Sequence, residues 1–192
     1  MIFQIKSRWS STVKFECELD ASLEGQAYGV QLGAAIKLAL KADANLTGAV
    51  LTDANLTGAD LTGANLTRAD LTGADLTDAV LYPIRDDLWA VLCSAPNEVP
   101  ALREALLAGR VDGSAYEGDC ACLVGTLANV RGCKYTDIPG LRPNSSRAAE
   151  RWFMAIRPGH TPENSIPAKL AVEWVDEWMA NVQAAFAGKA RP

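Results

Sequence analysis

The chain has 192 residues, enough for one domain or two small ones. Hydrophobic residues make up 49% and charged residues 21%, values typical of a globular protein, and no apolar run reaches the roughly 18 residues that a transmembrane helix needs. The formal net charge of −5 and the lack of a basic patch argue against direct binding of nucleic acid, while they are compatible with a basic protein partner.

The N-terminal residues and the cysteines indicate the cellular compartment. The first twenty residues are charged early and lack the apolar block and small-residue cleavage site of a signal peptide. The chain has five cysteines, and an odd number without a secretion signal favours reduced thiols over a disulfide framework. We therefore expect a cytoplasmic protein.

The first 43 residues predict a β-hairpin followed by one helix. Residues 2–6 and 12–19 alternate apolar and polar side chains, which is typical of strands with one buried face. On the second strand that face consists of Val13, Phe15, Cys17 and Leu19. Residues 30–41 place Leu32, Ile36 and Leu40 on one side of a helix, which is expected to cover the N-terminal end of the segment that follows.

Residues 44–83 consist of eight consecutive five-residue units. Every unit has Ala at its first position and Leu at its third, from Ala44 and Leu46 to Ala79 and Leu81. A period of five matches neither the roughly 3.6-residue period of a helix nor the alternation of a strand. A coil with one unit on each of four sides places every Ala and Leu at its axis, so eight units predict two turns.

The other positions of the unit indicate how its corners are built. Asn or Asp precedes Leu in six of the eight units, and its side chain is expected to bond to neighbouring backbone. Thr follows Leu in seven units and is expected to face solvent. The fifth position carries mainly turn-forming residues, four of them Gly.

The repeated sequence, A(D/N)LTG and its variants, resembles that of the pentapeptide-repeat family. The resemblance covers residues 44–83 and holds at all eight Ala and all eight Leu positions. It implies a right-handed quadrilateral β-helix, whose two coils need covers at both ends. The expected fold class is therefore mixed: a short right-handed quadrilateral β-helix of two coils, an N-terminal β-hairpin with a capping helix, and an α-helical C-terminal region.

After Pro83 the sequence predicts helices at residues 85–93, 98–108, from near 146, and at 165–187, with a small-residue segment at 120–130. The last helix is expected to turn one face inward: Ala171, Trp174, Val175, Trp178, Val182, Ala185 and Phe186. Three domains follow, at residues 1–43, 44–83 and 84–192. The stretches PIRDDLWAVL and GDCACLVGTLANVRGC resemble regions downstream of pentapeptide repeats in bacteriophage and prophage proteins, which implies that context and no reaction.

Five aspartates of the repeat are the first candidate site: Asp53, Asp60, Asp70, Asp75 and Asp78. Some pentapeptide-repeat proteins imitate duplex DNA and occupy the DNA channel of type II topoisomerases, so the resemblance implies carboxylates that replace phosphates opposite Lys and Arg. The alternative is structural, because Asp60, Asp70 and Asp75 occupy the corner position that favours Asp or Asn. Only Asp53 and Asp78 lack that explanation, and two coils make a short rod.

Seven residues of the C-terminal region are candidates for a ligand pocket: Arg85, Asp112, Tyr116, Asp119, Cys120, Cys122 and His160. Thiolates and an imidazole can bind zinc or form a nucleophile–base pair. However, no second cysteine pair with metal-ligand spacing follows, and the surrounding sequence CACLVGTLA favours buried, unreactive thiols. Turns and helix caps explain the polar members equally well. We expect no metal, no cofactor and no catalytic residue.

These patterns favour a non-enzymatic binding protein with a protein partner, for instance a phage-type inhibitor of a host nucleic-acid enzyme or defence system. One His and scattered carboxylates do not assemble a nucleophile, a base and an orienting group. The alternative is a small-molecule or nucleotide-binding protein with its pocket in the C-terminal helical region, and an enzyme that uses Cys120 or Cys122 comes third. A homo-oligomer is compatible with the sequence, and binding to a membrane is not expected.

Overall fold

The computed structural model describes residues 1–10, 12–61, 64–119 and 121–187. An antiparallel hairpin opens the chain, with strand β1 at Ile2–Lys6 and strand β2 at Val13–Glu18. A 3-10 turn at Ala21–Leu23 leads to helix α1, Tyr28–Lys41, which lies against both strands. The predicted hairpin and the predicted helix are confirmed.

The buried face of the hairpin differs from the prediction at one end. Leu19 is buried and Phe15 half-buried, whereas Val13 is 44% exposed. The pairing register shifts between Ile5 and Lys6, and Lys6 pairs with Val13. Because this irregularity interrupts the alternation of the two faces, the inward placement of Val13 is wrong.

Hydrogen bonds join residues of the repeat that lie four units apart. The N–H of Leu51 donates to the carbonyl of Asp70 at 2.9 Å, and the N–H of Asp70 donates to the carbonyl of Ala49 at 3.0 Å. Parallel bridges pair Val50 with Asp70, Asn55 with Asp75, and Asp60 with Val80. The second four units therefore stack on the first four.

The leucines of the repeat form a buried column, as their period predicts. Four are 0% exposed: Leu46, Leu51, Leu56 and Leu61. In the second four units, Leu66 and Leu71 are buried, while Leu76 and Leu81 are half-buried. Burial of one leucine side chain contributes about 1.5–3 kcal/mol, so this column is the main source of stability within the repeat.

The flanking segments continue the backbone hydrogen bonding at both ends of the column. At the N-terminal end the N–H of Val50 donates to the carbonyl of Lys6 at 3.0 Å, and that of Asn55 donates to Gly29 of α1 at 2.9 Å. These two carbonyls take the place of a preceding layer of units. At the opposite end the N–H of Arg68 donates to the carbonyl of Met154 at 3.0 Å.

The helices after the repeat are α2 at Tyr82–Ser94, α3 at Val99–Leu107, α4 at Leu123–Arg131, α5 at Ala148–Phe153 and α6 at Ile166–Ala187, with a 3-10 turn at Pro96–Glu98. Helix α6 contacts α2, α3 and α5, and α4 contacts α3 and α5. Helix α2 begins earlier than predicted, because a proline is tolerated in a first helical turn. Among the described residues, no helix is both long and apolar enough to cross a membrane.

The C-terminal turns of α6 extend beyond the core. Trp174 and Trp178 are 8% and 7% exposed, whereas Phe186 is 65% exposed and Ala185 is exposed as well. The prediction that Ala185 and Phe186 point inward is therefore wrong. A helical period identifies the apolar face but not the point at which other elements stop covering it.

Candidate functional site

The Asn and Asp side chains that precede Leu have a local structural role. In five units the side-chain Oδ1 accepts a hydrogen bond from the N–H of the Thr two residues later, at 2.9–3.3 Å. These residues are Asn45, Asn55, Asn65, Asp70 and Asp75. The expected bonding to neighbouring backbone is confirmed, and it uses Asn and Asp equally because either supplies the acceptor oxygen.

Asp53 and Asp78, which the sequence pattern leaves without a structural explanation, have one in the structure. Both adopt left-handed backbone conformations, with φ of 58° and 54°. Gly48, Gly58 and Gly73 occupy the same position of other units, also with positive φ. Gly adopts this region freely and Asp tolerates it better than most residues, and Arg68 adopts it too with φ of 54°, so the fifth position of the unit imposes a left-handed conformation on the residue there.

The structure separates Asp70 from the other repeat aspartates. Its Oδ2 lies 3.5 Å from Nη2 of Arg8, and its side chain is half-buried. Asp53, Asp75 and Asp78 are exposed, and none of the three forms an ion pair with a cationic side chain of the described residues. Asp60 is exposed too. Hydrogen bonds from Thr77 hold the pKa of Asp75 below its usual value.

Asp53 and Asp75 come from neighbouring parts of the stacked units. A Cβ atom added at Gly73 would lie 2.1 Å from Oδ1 of Asp53, so the Asp53 side chain rests on the Gly73 backbone. Asp75 is bridged to Asn55, two residues beyond Asp53. The backbones of these two exposed aspartates are therefore held in adjacent layers of the repeat by hydrogen bonds.

Tyr116 and Cys122, two of the pocket candidates, lie beside a buried carboxylate. The Tyr116 hydroxyl donates to Oε2 of Glu150 at 3.0 Å, and the N–H of Asn144 donates to Oε1 at 2.9 Å, while Glu150 is 2% exposed. Burial and the nearby Glu150 carboxylate raise the pKa of Tyr116, and burial raises the pKa of Cys122 to about 11. The Cys122 thiol is therefore protonated at neutral pH and is a poor nucleophile.

Of the remaining pocket candidates, Asp112 lies beside this cluster, since its N–H donates to the carbonyl of Ala121 at 3.0 Å, while Arg85 and His160 lie elsewhere. Asp112 closes a turn, since its Oδ1 accepts from the N–H and hydroxyl of Ser114 at 3.0 and 2.6 Å. Asp119 is exposed in the loop that follows, and Cys120 lies outside the described residues. Arg85 lies on the outer side of α2, 2.9 Å from Asp86 and stacked over the ring of Trp89. The six described candidates therefore do not line one common cavity.

His160 lines a separate cavity of about 80 Å³, together with Arg8, Asp70 and Arg157. Burial lowers the pKa of His160, the Asp70 carboxylate raises it, and Arg8 lowers it further. No sequence motif links these residues, because they come from the turn after β1, the repeat and the loop before α6. Among the described residues, no group of three or more His, Cys, Asp or Glu side chains is arranged to hold a metal ion.

A larger groove of about 630 Å³ lies in the C-terminal region, lined by residues 136–140, Arg142, Pro143, Asn144 and Arg147. Nε of Arg147 is 3.5 Å from Oδ1 of Asp87 on α2. None of the seven predicted pocket residues lines this groove. The Pro and Gly content of the segment signals a loop, but a loop in sequence does not reveal whether it encloses space.

The architecture defines a class of protein in which a short array of five-residue units carries a hairpin and a helix at one end and a helical region at the other. Residues 42–81 match the family model for pentapeptide repeats, in eight copies. The match spans 40 of the 192 residues, so the likeness concerns the repeat segment. No curated protein and no solved structure gives a significant match to the chain.

Proposed function

We propose that the chain is a non-enzymatic binding protein whose partner is a basic protein, and that residues 44–83 wind into two coils of a right-handed quadrilateral β-helix. The 20-residue offset of the three parallel bridges supports this winding, because it equals four units of five. Such a β-helix would hold its outer side chains in fixed positions. A rigid array of side chains binds with little loss of conformational entropy.

One observation carries the proposal, namely the exposure of Asp53, Asp75 and Asp78 without ion pairs to cationic side chains of the described residues. Carboxylates held on a fixed backbone attract Lys and Arg side chains of a partner and steer its approach. Asp60 belongs to the same candidate surface, and Asp70 contributes less because Arg8 balances its charge.

A specific form of this function follows from the resemblance to phage and prophage sequences. The protein would act in the cytoplasm as an inhibitor of a host nucleic-acid enzyme or of a defence system, with its carboxylates in place of DNA phosphates. Two coils offer a short surface, so a homo-oligomer that extends the array would strengthen binding.

The combined variant Asp53→Asn and Asp78→Asn tests the proposal. Asn also tolerates the left-handed backbone, so the fold is retained while two charges are removed. We expect the wild type to inhibit DNA supercoiling, more weakly as salt is added, and the variant to lose inhibition. Asp70→Asn is the matched control, since its charge is already balanced. Absence of inhibition by the wild type at micromolar concentration would rule out mimicry of DNA.

Affinity capture from a bacterial lysate can identify the partner without assuming which class of protein it is. The wild type and the double variant serve as baits in parallel, and proteins retained by the wild type alone are compared by isoelectric point. A basic protein that the double variant loses would support the proposed surface. A partner retained equally by both baits would place the contact elsewhere on the molecule.

A second function, binding of a small molecule or nucleotide, is favoured by the groove of about 630 Å³ that contains Arg142 and Arg147. Its volume lies in the range of about 300–1,000 Å³ common to ligand sites. A panel of nucleotides should then raise the melting temperature, and Arg142→Ala should remove the shift while Arg110→Ala, on an exposed arginine outside the groove, should not. A flat panel would contradict this function.

A further inference from the structure

The cavity that contains His160 lies where three distant segments of the chain meet. Arg8 follows β1, Asp70 belongs to the sixth unit of the repeat, and Arg157, His160 and Ser165 precede α6. Its volume of about 80 Å³ corresponds to two or three water molecules at roughly 30 Å³ each. A ligand enclosed there is therefore a small ion, because a nucleotide or an amino acid is too large.

The charges around the cavity leave an excess of positive charge. Arg8 and Asp70 balance each other at 3.5 Å, and Oδ1 of Asp70 also accepts hydrogen bonds from the N–H and hydroxyl of Thr72. Nη2 of Arg157 donates to the carbonyl of Arg68 at 3.1 Å. Arg157 forms no ion pair with a carboxylate of the described residues. A guanidinium with free donors is suited to an oxyanion.

His160 supplies a second unused group. Its Nδ1 atom is buried and has no hydrogen-bond partner, the single such side-chain atom in the part of the chain that the structure describes. Because Nδ1 has no accessible surface, a ligand in the cavity can contact the imidazole only through its other ring nitrogen, Nε2. The backbone N–H of His160 donates to the carbonyl of Arg157 at 2.9 Å, which holds the two residues next to each other.

The start of α6 adds to the positive potential. Residues 165–167 line the cavity, and α6 begins at Ile166 and runs for 22 residues. The N-terminus of a helix carries partial positive charge, although in α6 the N–H of Ala168 already donates to Oγ of Ser165 at 3.4 Å and Pro167 has no N–H, so the contribution is that of the helix dipole. Arg157, His160 and the first turn of α6 therefore lie around one small, partly open cavity.

From this convergence we propose that the cavity binds a small tetrahedral oxyanion, of the size of inorganic phosphate, with Arg157 and His160 as its side-chain donors. The site lies where the repeat meets the C-terminal region, so a bound anion would add to the polar contacts that already join these segments. It is independent of the acidic surface proposed above and does not require a protein partner.

The protein's one histidine makes the site observable by NMR. Titration of the full chain with phosphate, at ionic strength matched by chloride, should give a saturable shift of the His160 imidazole resonances. An anion opposite His160 favours the imidazolium form, so phosphate should raise the pKa of His160 against the opposing effects of burial and Arg8, in the direction that Asp70 already favours. Glycerol phosphate tests whether a phosphate ester binds as well as free phosphate. It should bind more weakly, since the cavity has no room for its glycerol group.

Two variants distinguish specific binding of phosphate in the cavity from non-specific electrostatic screening by added salt. Arg157→Gln should weaken phosphate binding about tenfold, the contribution of one hydrogen bond to a charged group. Asp70→Asn should strengthen it, because a repelling carboxylate is removed and Arg8 is released. Asn occupies the equivalent position of three other units, so this variant fits the repeat. Arg110→Gln, at an exposed arginine away from the cavity, is the matched control and should change nothing.

Several results would overturn the proposal. These are a wild-type titration without saturation, an ester that binds as tightly as phosphate, equal affinity in Arg157→Gln, or weaker binding in Asp70→Asn. If Arg157→Gln fails to fold by circular dichroism, the wild type and Asp70→Asn still decide the question.

Discussion

The side chains of Cys122 and Glu150 are both buried, but only Glu150 has hydrogen-bond donors from other segments around it. Glu150 accepts hydrogen bonds from Tyr116 and Asn144. Cys122 lies among apolar atoms that disfavour the thiolate, and its pKa rises to about 11. A buried carboxylate can be satisfied by hydrogen-bond donors from several segments. A buried thiol avoids the free-energy cost of a desolvated thiolate by keeping its proton.

We predict that Cys122 of the folded protein is labelled by a thiol reagent far more slowly than Cys93, which is exposed. The thiolate is the reacting form, and at neutral pH Cys122 forms little of it. Mass spectrometry of labelled peptides locates the reaction, and Cys93→Ser should remove the fast phase. Rapid labelling of Cys122 without unfolding would contradict the prediction.

The raised pKa of Cys122 also predicts how the stability of the protein depends on pH. Unfolded Cys122 releases its proton near the ordinary pKa of 9.0, whereas the folded thiol keeps it until about 11. The folded state then holds more protons in this window, so the free energy of unfolding falls as pH rises through it. Urea titrations at several pH values measure the slope, which Cys122→Ala should reduce. An unchanged slope would mean that Cys122 does not contribute.

At the scale of elements, α1 lies directly on the backbone of the repeat. A Cβ atom added at Gly33 would be 1.9 Å from the carbonyl oxygen of Asn55, and one at Gly29 would be 2.3 Å from that of Asp53. The two glycines are four residues apart and therefore share one face of the helix. Close approach, rather than backbone flexibility, explains glycine at these positions.

We therefore predict that Gly33→Ala destabilises the protein by about 1–3 kcal/mol, as overpacking does. Ala is intrinsically the better helix former by about 1 kcal/mol, so a rise in stability would show that α1 does not make this contact. Urea unfolding measures the change. Lys41→Ala, at an exposed residue of α1, is the control and should stay within about 0.5 kcal/mol.

An ion pair joins the last residue of α4, Arg131, to Glu98, the residue before α3. Arg131 donates to both carboxylate oxygens of Glu98, at 2.8 and 3.0 Å, and Glu98 is 7% exposed. These bonds lower the pKa of Glu98 despite its burial. Removing the arginine alone would leave a buried carboxylate without its partner.

Arg131→Met should accordingly cost about 2–3 kcal/mol, less than a fully buried pair because Arg131 is partly exposed. The double variant Arg131→Met and Glu98→Met should recover much of this loss, since both charges are then gone. Thermal or urea unfolding of the four proteins gives the coupling energy. Additive effects of the two single changes would indicate that the pair does not interact.

For the molecule as a whole, one hydrophobic cluster runs from Phe3 of β1 through the leucine column to Trp178 of α6. Its buried side chains include Ile84 of α2 and Trp152 of α5. The hairpin, the repeat and the helical region thus share one core. Segments that share a core unfold together.

We predict a single unfolding transition in which tryptophan fluorescence and far-ultraviolet circular dichroism coincide. Four of the five tryptophans follow the repeat in sequence, so fluorescence reports mainly on the C-terminal region. Leu56→Ala, inside the column, should lower the free energy of unfolding by about 2–5 kcal/mol. The decrease should be the same whether it is measured by fluorescence or by circular dichroism. A variant that shifts circular dichroism while leaving fluorescence in place would show that the repeat unfolds as a separate domain.

The sequence predicts the elements better than their surroundings. The five-residue period identifies the Leu and Ala positions of the core, of which six Leu and five Ala are buried and the others half-buried, and alternation identifies the hairpin. Val13 and Phe186 are assigned to buried faces by the same patterns and are exposed, because a pattern does not contain the register shift beside Val13 or the extent of cover around α6. Asp53 and Asp78 lack an explanation until their positive φ is known.

By itself the sequence determined the inward Leu and Ala of the repeat and the corner role of its Asn and Asp, since these depend on neighbours within a few residues. Only the tertiary structure decided that Tyr116, Cys122 and Glu150 lie together and that Arg8, Asp70, Arg157 and His160 surround one cavity. The physical reason is range. Local hydrogen bonds and periodic burial are encoded within a unit, whereas a cavity depends on how distant segments fit around a common core.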